Sequence, residues 1–365
     1  MENIAHTLLG ATLAKAGLEK KTAYALPALM IAANLPDIDN FVGRGQSYFD
    51  HHRGVTHSFI GVAGLSLGLA AAVWAADRIR SGAGRKQVRF VPMWLVCALG
   101  ALTHPFLDFL GDYGLRPLLP FSSKWYYGDL LSIVDPWVWL IFGCSLFLVT
   151  RTKSGRIAWI VFACALDAAI FFGAGKIFAL CWTLLALAIA AGMSALRRYG
   201  IRPSRAALVS FLVYLGLAAT AHYAILRRAW QSGPALVSEA IKKVSVLPGT
   251  PGVAGRWTVV LEGTDKYYVA DVGLQNWADH PPQFEAYLKN LQNDCYREAL
   301  AQPQMAALAR FARFPSVQVR VSGETCSVLL RDLRYARRGS SGWGIATATV
   351  PLQSLKSSTA GSSHP

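Results

Sequence analysis

The chain has 365 residues, of which 53% are hydrophobic and 16% charged, and 36 Lys and Arg against 21 Asp and Glu give a net charge of +15. Mean hydropathy is +0.33, whereas soluble domains carry about 25% charged residues, which argues against an ordinary cytosolic enzyme and excludes disorder. The positive excess would suit nucleic acid, but in so apolar a chain its expected source is basic loops between membrane spans.

In chain order, the first apolar segments are Ile4–Leu18 and Thr22–Leu35, separated by Glu19, Lys20 and Lys21. Neither reaches the roughly 20 residues that cross a bilayer, so they predict a short helical hairpin. Basic residues follow the first apolar run instead of preceding it, unlike a signal peptide. Ser58–Ala76, Phe90–Leu110, Asp135–Thr150, Ile157–Gly175, Ile177–Leu196 and Ala206–Leu226 then read as six full spans. Arg78, Arg80, Arg85, Lys86 and Arg89 crowd one loop; Arg151, Lys153 and Arg156 another; and Arg197, Arg198, Arg202 and Arg205 a third. The positive-inside rule puts those loops in the cytoplasm. No nucleic-acid partner is then required.

Residues 1–230 therefore read as an all-α polytopic membrane domain, and 231–252 as a linker punctuated by Gly233, Pro234, Pro248, Gly249, Pro251 and Gly252. Residues 253–352 read as a small soluble α+β domain. Arg256–Leu261, Lys266–Val272, Val317–Val321, Cys326–Arg331 and Ile345–Val350 are its expected strands, and Phe284–Phe314 its expected helical part. The Ser/Gly/Thr-rich end, 353–365, is expected to be disordered. Counting spans places this domain outside, in the periplasm, where Cys295 and Cys326 are permitted a disulfide.

The chemistry-bearing residues concentrate early. His6 lies on the first short helix, Asp37 and Asp39 end the second apolar segment, and His51, His52, Arg53 and His57 precede the first full span. His104 and Asp108 stand four apart, on one helix face, and Asp135 opens the next span. The topology brings all these imidazoles and carboxylates to one membrane face. His51 and His52 are adjacent and point apart, so one of the two is expected to ligate. Charged groups in spans are costly and mark function. The donor set suits Zn²⁺ first, with Mn²⁺ or Mg²⁺ as alternatives, and is large enough for two or three ions. Paired ions would activate water, with Asp37 or Asp39 as a bridge and a carboxylate off the metal as general base. Alone, His222 reads as a packing residue, while Asp167 is balanced between an interhelical hydrogen bond and function.

The segments Leu35-Pro-Asp-Ile-Asp39, His52-Arg-Gly-Val-Thr-His-Ser58, Thr103-His-Pro-Phe-Leu-Asp108 and Ile133-Val-Asp-Pro136 resemble successive motifs of the membrane-bound metal-dependent hydrolases. That family is also described as LexA-binding, inner-membrane-associated hydrolases. The resemblance covers roughly residues 1–230. Ala312-Arg-Phe-Pro315 and Leu330–Tyr335 are similar to the extension of longer members. It implies a multi-pass protein of the bacterial inner membrane with His6, Asp37, Asp39, His52, His57, His104, Asp108 and Asp135 as ligands. It also implies a phosphate contact for Arg53, and a hydrogen-bonding or helix-capping role for Ser58.

Together these readings predict hydrolysis of a phosphoester in a membrane lipid or lipid-linked substrate at the outer surface. Asp37, Asp39, His57 and Asp108 form the expected catalytic core, with Arg53, Arg116 and Lys124 neutralising phosphate. Trp125, Tyr126 and Tyr127 suit the membrane interface. Two alternatives belong to other classes. One is a non-enzymatic docking partner for a cytosolic regulator, bound through the basic loops. The other is a His/Asp ion-coupled transporter, which requires polar residues continuing across the membrane; Asp167 and His222 are the candidates in the later spans.

Overall fold

The structure, a computed structural model, describes residues 1–41, 48–80, 87–174, 176–249, 255–275, 277, 279–337, 339 and 342–352. The tail expected to be disordered, 353–365, lies outside the described residues, as do Arg85 and Lys86 of the first basic loop. The chain divides into two units: Met1–Ile38 with Val55–Ala219, and Asp39–Gly54 with Thr220 onward.

The first unit is helical. The expected hairpin is present as α1 (Asn3–Ala16) and α2 (Ala25–Ala32). Glu2 caps α1 by accepting from the Ala5 amide and also accepts from the Trp139 indole. Then come α4 (Phe59–Arg80), α5 (Phe90–Phe109), α6 (Pro136–Val149), α7 (Lys153–Ala174), α8 (Lys176–Leu196) and α9 (Pro203–Ser232), which runs on into the second unit. Among the described residues five helices (α4, α5, α7, α8 and α9) are long and apolar enough to cross a membrane. Leu67, Leu95, Leu187, Leu212 and Leu217 leave their side chains exposed, as lipid-facing residues do.

The third of the six expected full spans, Asp135–Thr150, is corrected to the shorter α6. Its 14 residues reach about 21 Å at 1.5 Å each, well short of a bilayer core of about 30 Å. Pro136 fixes its first turn and Thr150 leaves the helix in extended conformation. What the apolar run does instead is fill a core: Val138, Phe142 and Leu146 are buried with Leu8, Leu9 and Leu107.

Two glycines set how closely the helices approach. A β-carbon at Gly10 would lie 2.7 Å from the Leu29 carbonyl oxygen. One at Gly100 would lie 2.9 Å from Ala32 Cβ and 3.1 Å from the same Leu29 oxygen. Hence α1 and α5 both rest on the backbone of α2, the packing that small residues permit within membranes.

In the second unit, the described part of Asp39–Gly54 carries a short helical turn, α3 (Tyr48–His51). The remainder is α+β, as expected. Strands β1 (Lys243–Pro248), β2 (Arg256–Glu262), β3 (Lys266–Gly273) and β4 (Glu285–Leu288) form an antiparallel sheet in that order. After α10 (Asp294–Ala299) and α11 (Pro303–Phe311), strands β5 (Pro315–Ser322), β6 (Thr325–Asp332) and β7 (Ile345–Pro351) form a second antiparallel sheet. Two elements differ from expectation. The linker-like stretch carries β1, because Val244 and Val246 bury their side chains against Val259 and Leu261 of β2. The start of the expected helical segment is β4, where Tyr287 pairs with Tyr267 and is buried with Val260 and Val269. Cys295 and Cys326 form a disulfide joining α10 to β6.

Candidate metal centre

Local structure presents each donor. Asn34, at the end of α2, donates to Thr7 Oγ1 and to the Met30 carbonyl, both at 2.8 Å. Pro36 then follows, and the chain tightens into a 3-10 segment, Leu35–Phe41, that carries Asp37 and Asp39. His57 ends another 3-10 turn, Val55–His57. Ser58 holds the entry to α4, donating to the Val55 carbonyl at 2.7 Å and accepting from the Gly61 amide at 3.1 Å. His6 sits one turn before Gly10 on α1 and His104 one turn after Gly100 on α5. The close helix packing therefore stacks their rings, with centroids 3.9 Å apart and planes within 14°.

Within the first unit His6, Asp37, His57, His104 and Asp108 come together, all of them buried. Two groups have donor atoms near enough to share an ion, His6–His104–Asp108 and Asp37–His57–His104, with His104 common to both. The His57 and His104 Nε2 atoms are 3.1 Å apart. Each lies 3.4–3.5 Å from Asp37 Oδ1 and 3.4 Å from Asp108 Oδ2. Donors about 2.05 Å from a tetrahedral zinc ion are separated by about 3.3 Å, so these spacings fit an ion.

The rings are oriented as metal ligands are. His104 donates from Nδ1 to the Ala33 carbonyl at 2.7 Å, and His57 Nδ1 lies 3.0 Å from Thr56 Oγ1, leaving both Nε2 atoms to face the carboxylates. His6 Nε2 lies 3.2 Å from the Met1 carbonyl oxygen, and its buried Nδ1 has no hydrogen-bond partner among the described residues. The Met1 amino group also reaches Asp108 Oδ1. Burial alone would raise the Asp37 carboxyl, but hydrogen bonds from His104 and His57 hold it well below the usual carboxylate range. Asp37 therefore stays anionic.

Asp39 and His52 meet within the second unit, His52 Nδ1 lying 3.3 Å from Asp39 Oδ1. The Gly54 amide donates to Asp39 Oδ2 at 3.4 Å. Arg53, 3% exposed, occupies the left-handed backbone region at φ 55°, a strained turn for a non-glycine residue. Arg116 stacks its guanidinium 4.6 Å from the Trp125 ring, and exposed Lys124 lies 5.4 Å from the Tyr126 ring.

Asp135 stands apart from the His/Asp groups formed among the described residues. It is the N-cap of α6, accepting from the Trp137 and Val138 amides, and it accepts from the Tyr214 hydroxyl at 2.8 Å. His51 ends α3 with an exposed side chain. Asp167 accepts from Thr183 Oγ1 at 2.7 Å, an interhelical bond between α7 and α8. His222 Nε2 donates to the Val246 carbonyl at 3.1 Å, and its ring meets Trp257 edge-on. Both groups proposed for a polar path are thus engaged in packing.

Sequence reading missed Thr56 and the Ala33 carbonyl, which orient the two central imidazoles, and Gly10 and Gly100, which bring their helices together. The four-residue spacing of each glycine from a candidate histidine was the available signal.

Residues 1–178 match the family model described as YdjM inner membrane protein. The chain is thus similar to an inner-membrane protein family, and its apolar helices agree: it is a membrane protein with buried His/Asp groups able to hold a metal ion. A curated relative described as uncharacterized protein YfhP, from Bacillus subtilis (strain 168), is 29% identical over 115 residues. That alignment covers 31% of this chain and 33% of the relative, so the chain spans about a third of that protein's length. No solved structure matches.

Proposed function

We propose that the protein is a membrane-embedded, metal-dependent hydrolase that cleaves a phosphoester of a membrane lipid or lipid-linked substrate at the outer membrane surface. The observation that carries this reading is the 3.1 Å approach of His57 Nε2 to His104 Nε2, flanked by Asp37 and Asp108. Four donors buried beside membrane-spanning helices are costly to fold unless a cation compensates the carboxylates. His6, His57, His104, Asp37 and Asp108 would hold the metal within the first unit, while Asp39 and His52 form a separate donor pair within the second.

When bound, a divalent ion, with zinc the best match to this nitrogen-and-oxygen set, supplies Lewis-acid activation of water and of the phosphoryl group. The protein's residues do the rest. The Ala33 carbonyl and Thr56 fix the imidazole planes, and anionic Asp37 keeps the site charged. A carboxylate that does not ligate the ion would serve as the general base toward water. Arg53, Arg116 and Lys124 supply cations for the substrate phosphate. Similarity to an inner-membrane family supports the membrane location; with α6 too short to cross, the span count no longer places the C-terminal domain outside, and its outward, oxidising position is supported by the Cys295–Cys326 disulfide.

Metal analysis of detergent-purified protein, followed by a screen of lipid phosphoesters with His57→Ala and Asp108→Asn, tests the reading. Bound metal lost from both variants together with phosphoester turnover is the expected result. A wild-type protein that binds no metal stoichiometrically, or variants with undiminished turnover, would overturn it.

A further inference from the structure

The segment that carries Asp39, His52 and Arg53 packs with the C-terminal domain, although most of the sequence between them belongs to the other unit. The contact is aromatic. Phe49, on α3, lies 5.0 Å from the Phe311 ring at 29° and 5.3 Å from the Trp343 ring at 49°. Trp343 in turn meets Tyr335 edge-on at 4.4 Å.

Arg334 underlies this box, its guanidinium 4.5 Å from the Phe311 ring and 4.9 Å from the Tyr335 ring. Its side chain is fully buried, donating to Asp332 Oδ2 at 2.6 Å and to the Phe311 carbonyl at 3.0 Å. The receptor for Phe49 is built from α11, the turn after β6 and the loop before β7.

A continuous set of contacts leads from Phe49 to the donor pair. Tyr48 stacks on the His52 ring at 4.6 Å and 21°. The His52 amide donates to the Tyr48 carbonyl at 2.8 Å, and His52 Nδ1 lies 3.3 Å from Asp39. A four-residue helical turn does not hold itself together, since nucleation costs more than one turn returns. Arg53 immediately afterwards adopts an unfavourable backbone conformation. Something outside the turn must fix it.

We propose that the C-terminal domain is the holding device for the Asp39/His52 donor pair, and that Phe49, seated in the Phe311–Tyr335–Trp343 box, is the positioning residue. The role of this pair as metal donors rests on the function proposed above; the holding itself does not. The C-terminal domain then has a definite task for this donor pair, performed within the second unit through Phe49.

The test uses full-length protein in detergent with Phe49→Ala, Trp343→Ala and the aromatic-retaining Phe49→Tyr. Hydrogen exchange of residues 48–54 and titration with Zn²⁺ alone are measured for each. Phe49→Ala and Trp343→Ala should speed exchange of the His52 amide at least about tenfold and weaken zinc binding by about tenfold, the usual cost of losing a group that orients a ligand. Phe49→Tyr should restore both, while β2 and β3 keep their protection in every variant. Unchanged exchange in 48–54 would overturn the proposal; faster exchange with undiminished zinc affinity would support the holding and overturn the donor role of the Asp39/His52 pair. If the wild-type protein takes up no zinc, the metal reading fails, and the exchange result alone decides whether Phe49 holds the segment.

Discussion

Gly100→Leu probes the link between helix packing and the metal centre. A β-carbon at this position would sit 2.9 Å from Ala32 Cβ and 3.1 Å from the Leu29 carbonyl oxygen. Carbon atoms pack best at about 3.8 Å, so even the first added atom is about 0.9 Å too close, and one of its obstacles is backbone. Three further carbons leave α2 and α5 no option but to separate. Overpacking of this kind costs about 1–3 kcal/mol. Functional geometry tolerates only about 0.5 Å of error, so the effect on metal binding should exceed the effect on folding. The His6 and His104 rings, 3.9 Å apart and one turn from the two glycines, would lose their register. Metal content by mass spectrometry should fall by at least about tenfold, with a measurable drop in the thermal midpoint in detergent. Gly64→Leu on α4 is the matched control, since a β-carbon there meets nothing within 4 Å. A Gly100→Leu protein with wild-type metal content and midpoint would refute the reasoning.

Asp135→Ala should destabilise the protein by about 1–2 kcal/mol through the lost helix cap and the stranded Tyr214 hydroxyl, while metal content stays unchanged; parallel metal analysis and thermal unfolding check both halves. Reducing the Cys295–Cys326 disulfide, whose partners are 31 residues apart, should cost the second unit about 3–4 kcal/mol by loop entropy, read as faster hydrogen exchange in β5–β7. Hydrogen bonds from Arg337 hold the Asp271 carboxyl below its ordinary value and raise Arg337, which stays charged. The pair's contribution is therefore fully present above about pH 4–5 and is lost as pH falls through the lowered Asp271 pKa. Asp271→Asn should flatten that acid-side loss by less than about 1 kcal/mol, because the pair is half-exposed, as measured by exchange in β2 and β3 from pH 3 to 7.

The membrane-spanning character was legible because hydrocarbon demands long uncharged runs, and such runs cannot be mistaken for surface. The β-strands of the C-terminal domain were legible for a related reason: β-branched and aromatic clusters in β2, β3, β5, β6 and β7 suit pleated, half-buried surfaces. His57, His104 and Asp108 stood out because polar groups beside or within apolar helices are expensive. Length and alternation over short segments were less informative. The four residues of β4 carry too little pattern to separate strand from helix, and a 16-residue apolar stretch is compatible with both a span and a buried core helix until its neighbours are known.

Tertiary structure alone decided which carboxylates face the histidines. Asp37 and Asp135 are chemically alike, yet one lies against two imidazoles while the other is occupied by a helix end and Tyr214. Composition and spacing establish that a chain holds metal-capable donors in a membrane. They do not establish convergence: within the first unit that depends on Gly10 and Gly100 meeting the same turn of α2, and within the second, Asp39 and His52 meet on a segment whose Phe49 contacts an aromatic box more than 260 residues further along the chain. Such contacts depend on distances between elements, and sequence patterning reports only the face that each element presents.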